Sequence, residues 1–318
     1  MSDDLAGRRF TQVLAAFAAV YLIWGSTYLA IRVAISSIPP AASAGLRSAV
    51  AGTIMLLAMR MRGERLAAPR RELLSIAVIG FLLIVCGNGL VVWSEQYVAS
   101  GLAALIVATV PLWISILAHL SSGGERLPLR GWIGVLLGLV GLCALLWPKL
   151  DGGFGTEGLG VLTLILASLC WAIGSLYAKR VTFTLSPLVA SGWQMLMAGS
   201  ALSLIAAMSG EFTHLAPSWA SCVAMAYLIV FGSCVGFTAY GWLLQHVPAA
   251  KVATYAYVNP VIAVFLGCAF LHEPFTASML LGTPIILVAV GLVITAHMRS
   301  VRRVAPARVR TSARRRAA

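Results

Sequence analysis

Asn88 and Glu95 stand seven residues apart in the stretch CGNGLVVWSEQYV, residues 86–98. Seven residues is about two helical turns, so an amide and a carboxylate project from one side of an otherwise apolar helix. Tyr255 and Asn259, at i and i+4, form a second polar set. Trp24, Tyr28 and Arg32, at i, i+4 and i+8, form a third, and Trp171, Ser175 and Lys179 repeat that layout later in the chain. Arg47 and Gln194 are further polar residues inside apolar runs. An unpaired amide or ion in hydrocarbon costs several kcal/mol. Such groups therefore face protein, one another or a wet cavity. The chemistry they offer is hydrogen bonding, ion pairing and aromatic contact with a small solute.

Catalysis is a poorer fit. His272-Glu273 is followed by Pro-Phe-Thr, so the second histidine of a zinc-protease helix is missing. Val-Ala-Ser-Gly occurs at 98–101 and 189–192, but without the glycine two residues before serine that a nucleophile elbow uses. No Asp lies within an apolar run, which excludes an intramembrane aspartyl dyad. Cys86, Cys143, Cys170, Cys222, Cys234 and Cys268 show no CxxC or CxH spacing and read as small hydrophobes. No catalytic residue, metal or cofactor is expected. A channel would show a filter motif or a ring of like charge, and neither is visible.

The elements that must carry these residues follow from composition. Of 318 residues, 60% are hydrophobic and 10% charged, and the mean hydropathy is +0.93. A soluble protein of this size needs far more polar surface. Apolar runs of roughly 20 residues recur, the length that crosses a hydrocarbon layer of about 30 Å. Ten spans are expected, at 12–35, 41–60, 73–94, 99–119, 130–147, 159–179, 186–208, 217–244, 250–271 and 276–297. The breaks between them include SSIPP, the basic stretch 60–71, SSGGERLP and PKLDGGFGTEG. The first run is too long for the apolar part of a signal peptide, so 1–11 reads as a cytoplasmic N-terminus. That orientation puts 20 of the 23 Lys and Arg residues in inside segments, which places both termini in the cytoplasm. The net charge of +13 is then a topology signal and implies no nucleic acid. The tail 298–318 is too polar to pack and suits anionic lipid head groups.

The chain also matches itself at offsets of 147–149 residues. Trp24, Gly45 and Gly52 align with Trp171, Gly192 and Gly199. Gly87, Trp93, Gln96 and Pro111 align with Gly236, Trp242, Gln245 and Pro260, and Glu125 with Glu273. The halves, about 12–147 and 159–297, hold five spans each. Five is odd, so the second enters the membrane upside down, the arrangement of secondary transporters with a site near the midplane. The expected fold is an all-α polytopic membrane protein of ten transmembrane helices in two inverted five-helix repeats.

YLIWGSTYLAIR, GNGLVVWSEQYVASGLAALIVATVPLW and YAYVNPVIAVFLGCAFLHEP resemble the EamA family of the drug/metabolite transporter superfamily. The resemblance spans nearly the whole chain except the tail. It implies ten helices in two inverted repeats, cytoplasmic termini and export of small metabolites across the bacterial inner membrane. Several members of the superfamily move amino acids; the resemblance names no solute here. The expected function is export of amino acids or similar amphipathic solutes. The runner-up is a drug or organic-cation exporter with proton antiport, and an intramembrane enzyme is a distant third.

The expected cavity comprises Trp24, Tyr28, Asn88, Trp93, Trp171, Ser175, Gln194, Tyr255 and Asn259. For Trp24 and Trp171, simple packing between repeats is an equal reading, and for Asn88 interhelical hydrogen bonding is the alternative. Arg32, Arg47 and Glu95 fall in the outer third and are assigned to gating or coupling. Glu95 either pairs with Arg47 or Arg32, lies in interfacial water, or carries a coupling proton. Pro111 and Pro260 weaken their helices at matched positions and read as hinges or as packing kinks. Spans 5 and 10, with runs such as GWIGVLLGLVGL, read as structural or as a homodimer contact.

Overall fold

The structure is a computed structural model that describes residues 2–121, 128–150, 155–247, 252, 254–293 and 295. The basic tail, Glu125, Asp151 and Lys251 lie outside the described residues, and so do the side chains of Trp147, Lys149 and Gln245. Regular structure among the described residues is helical throughout. The helices are α1 (Ser2–Ala34), α2 (Pro40–Met61), α3 (Arg70–Ser94), α4 (Ser100–Leu120) and α5 (Leu129–Leu150). They continue with α6 (Thr156–Ala178), α7 (Pro187–Met208), α8 (Trp219–Leu243), α9 (Tyr255–Leu271) and α10 (Ala277–Val293).

Seven of these are long and apolar enough to cross a membrane, α1 through its segment Thr11–Ala34; Leu129–Leu145, Val258–Leu271 and Ala277–Val293 are shorter apolar helices. The outer faces are oily: Leu22, Leu57, Phe265 and Leu281 are each 58–67% exposed. A surface of that kind suits acyl chains rather than water. The protein is a polytopic membrane protein.

Prolines and glycines set the helix ends. Pro40 and Pro187 occupy the first positions of α2 and α7, where a missing N–H costs nothing. Gly63 (φ +79°) and Gly210 (φ +73°) turn the chain after α2 and α7 in a backbone region that favours glycine. Helix α1 starts at Ser2, ahead of the expected span, because no breaker separates the polar N-terminus from the apolar run.

Two features depart from straight α-helices. Phe81–Gly89 in α3 and Leu228–Val235 in α8 are π-helical. Their first residues are 147 apart, the repeat offset. In α4, Ala108 and Thr109 form a turn just before Pro111. In α9 the helix runs unbroken through Pro260. The matched prolines therefore have unequal effects.

Glycine matches explain how the halves meet. A Cβ on Gly52 would stand 2.5 Å from the Leu196 nitrogen, and one on Gly45 would stand 2.6 Å from that of Ser203. Gly199 faces the backbone of Ala49 just as closely. Helices α2 and α7 thus touch backbone to backbone, which only small residues permit. Helices α5 and α10 approach in the same way, Gly134 against the Ala289 carbonyl and Gly282 against that of Gly141.

Candidate functional site

A cavity of about 130 Å³ lies between eight of the helices. One water needs roughly 10–15 Å³ of such space, so there is room for several waters or a small solute. Among the described residues its walls come from α1–α4 and α6–α9, with none from α5 or α10. Two short stretches in the middle of α3 and α8 supply much of it, Ile84, Gly87 and Asn88 from one π segment and Gly232 and Ser233 from the other. A π-helical turn leaves backbone groups partly unpaired and recurs at functional sites. Here the Gly232 carbonyl accepts a bond from Trp24 Nε1 at 3.2 Å.

The aromatic wall is built in a crossed fashion. Trp24 of α1 lies on Gly236 of α8, and Trp171 of α6 lies on Gly87 of α3. These four residues are the Trp and Gly matches of the internal repeat. Each glycine leaves the space its partner's indole fills. Trp24 also meets Tyr255 edge-on at 5.3 Å and Phe237 at 5.5 Å.

Among the residues that line this enclosure are polar atoms without partners. Arg47 Nη1, Asn88 Oδ1 and Asn259 Oδ1 are buried and make no hydrogen bond. Arg47 and Asn259 are each only 7% exposed. Arg47 is anchored at its other end, where Nε donates to Ser233 Oγ at 3.2 Å. Leaving a buried donor or acceptor unsatisfied costs about 1–3 kcal/mol. The set comprises one cationic donor and two amide acceptors held among aromatic rings.

Of the residues singled out in the sequence, Trp24, Tyr28, Arg47, Asn88, Pro111, Trp171, Tyr255, Asn259 and Pro260 line the cavity. Trp93, Ser175 and Gln194 do not. The Trp93 ring packs on Tyr97 at 5.1 Å. The Ser175 hydroxyl returns to its own helix, donating to the Trp171 carbonyl at 2.7 Å. Gln194 meets Gly80 through its backbone. Arg32 also stays off the walls.

Glu95 departs furthest from expectation. Glu95 is the C-cap of the last turn of α3; it keeps helical dihedrals, and its N–H donates to the Val91 carbonyl at 3.1 Å. The side chain is fully buried, and neither carboxylate oxygen has a hydrogen-bond partner. The expected contact with Arg47 or Arg32 is not formed, although both charges act on it electrostatically, together with Glu273. Lining residues that the sequence reading missed include Thr27, Ser48, Ser168 and Ser233, short hydroxyls that look unremarkable in an apolar run, and Phe237.

A sequence model of the EamA-like transporter family matches residues 11–147 and again residues 158–295. The chain belongs to the EamA-like transporter family. It is similar to the uncharacterized inner membrane transporter YedA of Escherichia coli K12, 38% identical over 289 residues covering 90% of this chain and 92% of that one. It is also similar to Protein PagO of Salmonella typhimurium, 29% identical over 89% of this chain and 95% of the other. The uncharacterized transporter YoaV of Bacillus subtilis is 25% identical over 86% of this chain and 94% of its own. A solved structure described only as a crystal structure of a protein shares the fold, with a TM-score of 0.64 at 19% identity over 89% of this chain and 97% of that one. Family membership makes the chain a membrane transporter.

Proposed function

We propose that the protein is a secondary carrier that exports amino acids or similar amphipathic solutes across a bacterial inner membrane by alternating access. Ten transmembrane helices in two inverted five-helix repeats, with both termini cytoplasmic, frame the site. The carrying observation is the set of unsatisfied atoms among aromatic walls, Arg47 Nη1, Asn88 Oδ1 and Asn259 Oδ1. A solute carboxylate fits the guanidinium, and its amino group fits the amide oxygens. An apolar side chain fits among Trp24, Tyr28, Trp171 and Phe237. The paired π segments and crossed Trp–Gly contacts support an inverted repeat. The inner-membrane name of the relative YedA supports the location.

An organic-cation exporter would want an acid on the wall. Arg47 lines the cavity and Glu95 does not, which favours a carboxylate-bearing solute. In this reading Glu95 belongs to a gate that pairs with Arg47 in another state of the cycle. The test of the site uses the indoles of Trp24 and Trp171 as reporters. L-phenylalanine should change the intrinsic fluorescence of the purified protein, and phenethylamine, which lacks the carboxylate, should not. Equal responses to both would remove Arg47 as the recognition group.

A further inference from the structure

The motif Leu-His-Glu-Pro at 271–274 lies away from the cavity. Its acid nevertheless makes three hydrogen bonds between the two halves. Glu273 Oε1 accepts from the Ser100 backbone N–H at 2.8 Å; Oε2 accepts from Ser100 Oγ at 3.0 Å and from the Gly101 N–H at 3.1 Å. A carboxylate on free N–H groups at a helix start is favourable through both hydrogen bonds and the helix dipole. Room for it is left by Gly267, where a Cβ would collide with the carboxylate. His272 turns the chain into place with φ +52°, and the Glu273 N–H donates to the Gly267 carbonyl at 3.1 Å.

The captured element is half a helix. Ser100–Val107 is one α-helical piece of α4, and Val110–Leu120 is the next. Between them Thr109 turns back on Ile106, its N–H donating at 3.1 Å and its hydroxyl at 2.6 Å to one carbonyl. Pro111 has no N–H to bridge the gap. The first piece packs on the second half of the chain, Gly101 against Val264 of α9 and Met279 of α10. The second piece leaves α9 and α10 and packs instead on α6 and on α5, with Leu112 against Gly138. Both pieces line the cavity, through Ala104 and Val107 on one side of the break and Val110 and Pro111 on the other.

We propose that Glu273 is a positioning residue that makes Ser100–Val107 move with α9 and α10, hinged at Ala108–Thr109, so that this piece of α4 changes sides in the transport cycle. The use of that motion rests on the carrier reading; the clamp and its test do not need transport. Two other acids give the contrast. Glu211 accepts from the Ala42 N–H at 2.8 Å at the start of α2. Glu72 accepts from the N–H groups of Thr184 and Leu185 at 3.0 and 3.1 Å and from the Thr184 hydroxyl at 2.7 Å, before α7. They serve unbroken helices that are locked to each other by their glycines.

Hydrogen–deuterium exchange on the full-length protein in lipid nanodiscs, without solute, tests this. In Glu273→Gln the amides of 100–107 should speed up together by about tenfold while those of 110–120 stay at the wild-type rate. In Glu211→Gln the change should stop at the first turn of α2. A Glu273→Gln effect confined to the first turn, as for any simple cap, overturns the proposal, and so does one that spreads evenly over 100–120. Should Glu273→Gln not fold, Gly267→Ala displaces the carboxylate without removing its charge. It should give the same block pattern, and wild-type exchange in that variant also overturns the clamp.

Discussion

In the proposed function Arg47 is the side chain on which recognition turns, because it is the one cation on the cavity wall among the described residues and its Nη1 has no hydrogen-bond partner. A charge-assisted bond to a carboxylate is worth about 1.5–3 kcal/mol. Arg47→Gln should therefore weaken binding of the solute by roughly tenfold to a hundredfold in the fluorescence titration, with a smaller loss for Arg47→Lys. Asn259→Ala should cost about 1 kcal/mol, close to fivefold. Asn88 and Asn259, singled out as cavity residues because polar groups in hydrocarbon must have a reason, line the cavity, and so does Arg47, which was assigned to gating. Ser175 and Gln194 misled for a related cause: a hydroxyl can return to its own helix carbonyl, and a side chain's facing depends on a register that spacing fixes only roughly. Glu95, expected to gate or couple, lies at the helical end of α3, and spacing alone could not tell whether its carboxylate would reach Arg47 or Arg32. The gating role proposed for it makes a separate prediction. Glu95→Gln, which keeps Arg47 in place, should slow transport while leaving solute binding in the fluorescence titration unchanged, and wild-type transport in that variant would end the pairing.

The glycine matches at the helix level are contacts, and sequence could locate them without saying what they touch. Gly199 against Ala49 admits no larger side chain. Overpacking of this kind costs about 1–3 kcal/mol. Gly199→Val should lower the melting temperature measured in detergent and reduce the folded yield, whereas substitution of the lipid-facing Leu57, 58% exposed, by Ile should leave both unchanged. The π segments could not be foreseen. Phe81–Gly89 and Leu228–Val235 contain no proline, and their sequences read as ordinary apolar helix. What selects the wider turn is tertiary: Gly87 and Gly236 sit under the indoles of Trp171 and Trp24, and the freed Gly232 carbonyl is taken by Trp24. Prolines, the obvious hinge candidates, divided instead, with Pro111 at a break and Pro260 inside a continuous helix.

The distribution of charge governs the whole molecule's orientation. Arginines in the 60–71 stretch and in the tail hold these segments on the cytoplasmic side in the proposed topology. A C-terminal green fluorescent protein fusion should therefore fluoresce, and a C-terminal alkaline phosphatase fusion should be inactive. An active phosphatase would invert the proposed arrangement. The halves meet around a cavity whose free atoms ask for a carboxylate and an amine, and that is the central claim. Counterflow in proteoliposomes tests it most directly, with unlabelled neutral and aromatic amino acids inside and the labelled counterpart outside. Labelled L-phenylalanine or another member of the panel should accumulate transiently above protein-free liposomes, and Arg47→Gln should abolish the overshoot. No overshoot for any member, with correctly folded wild-type protein, would contradict amino acids as the solutes.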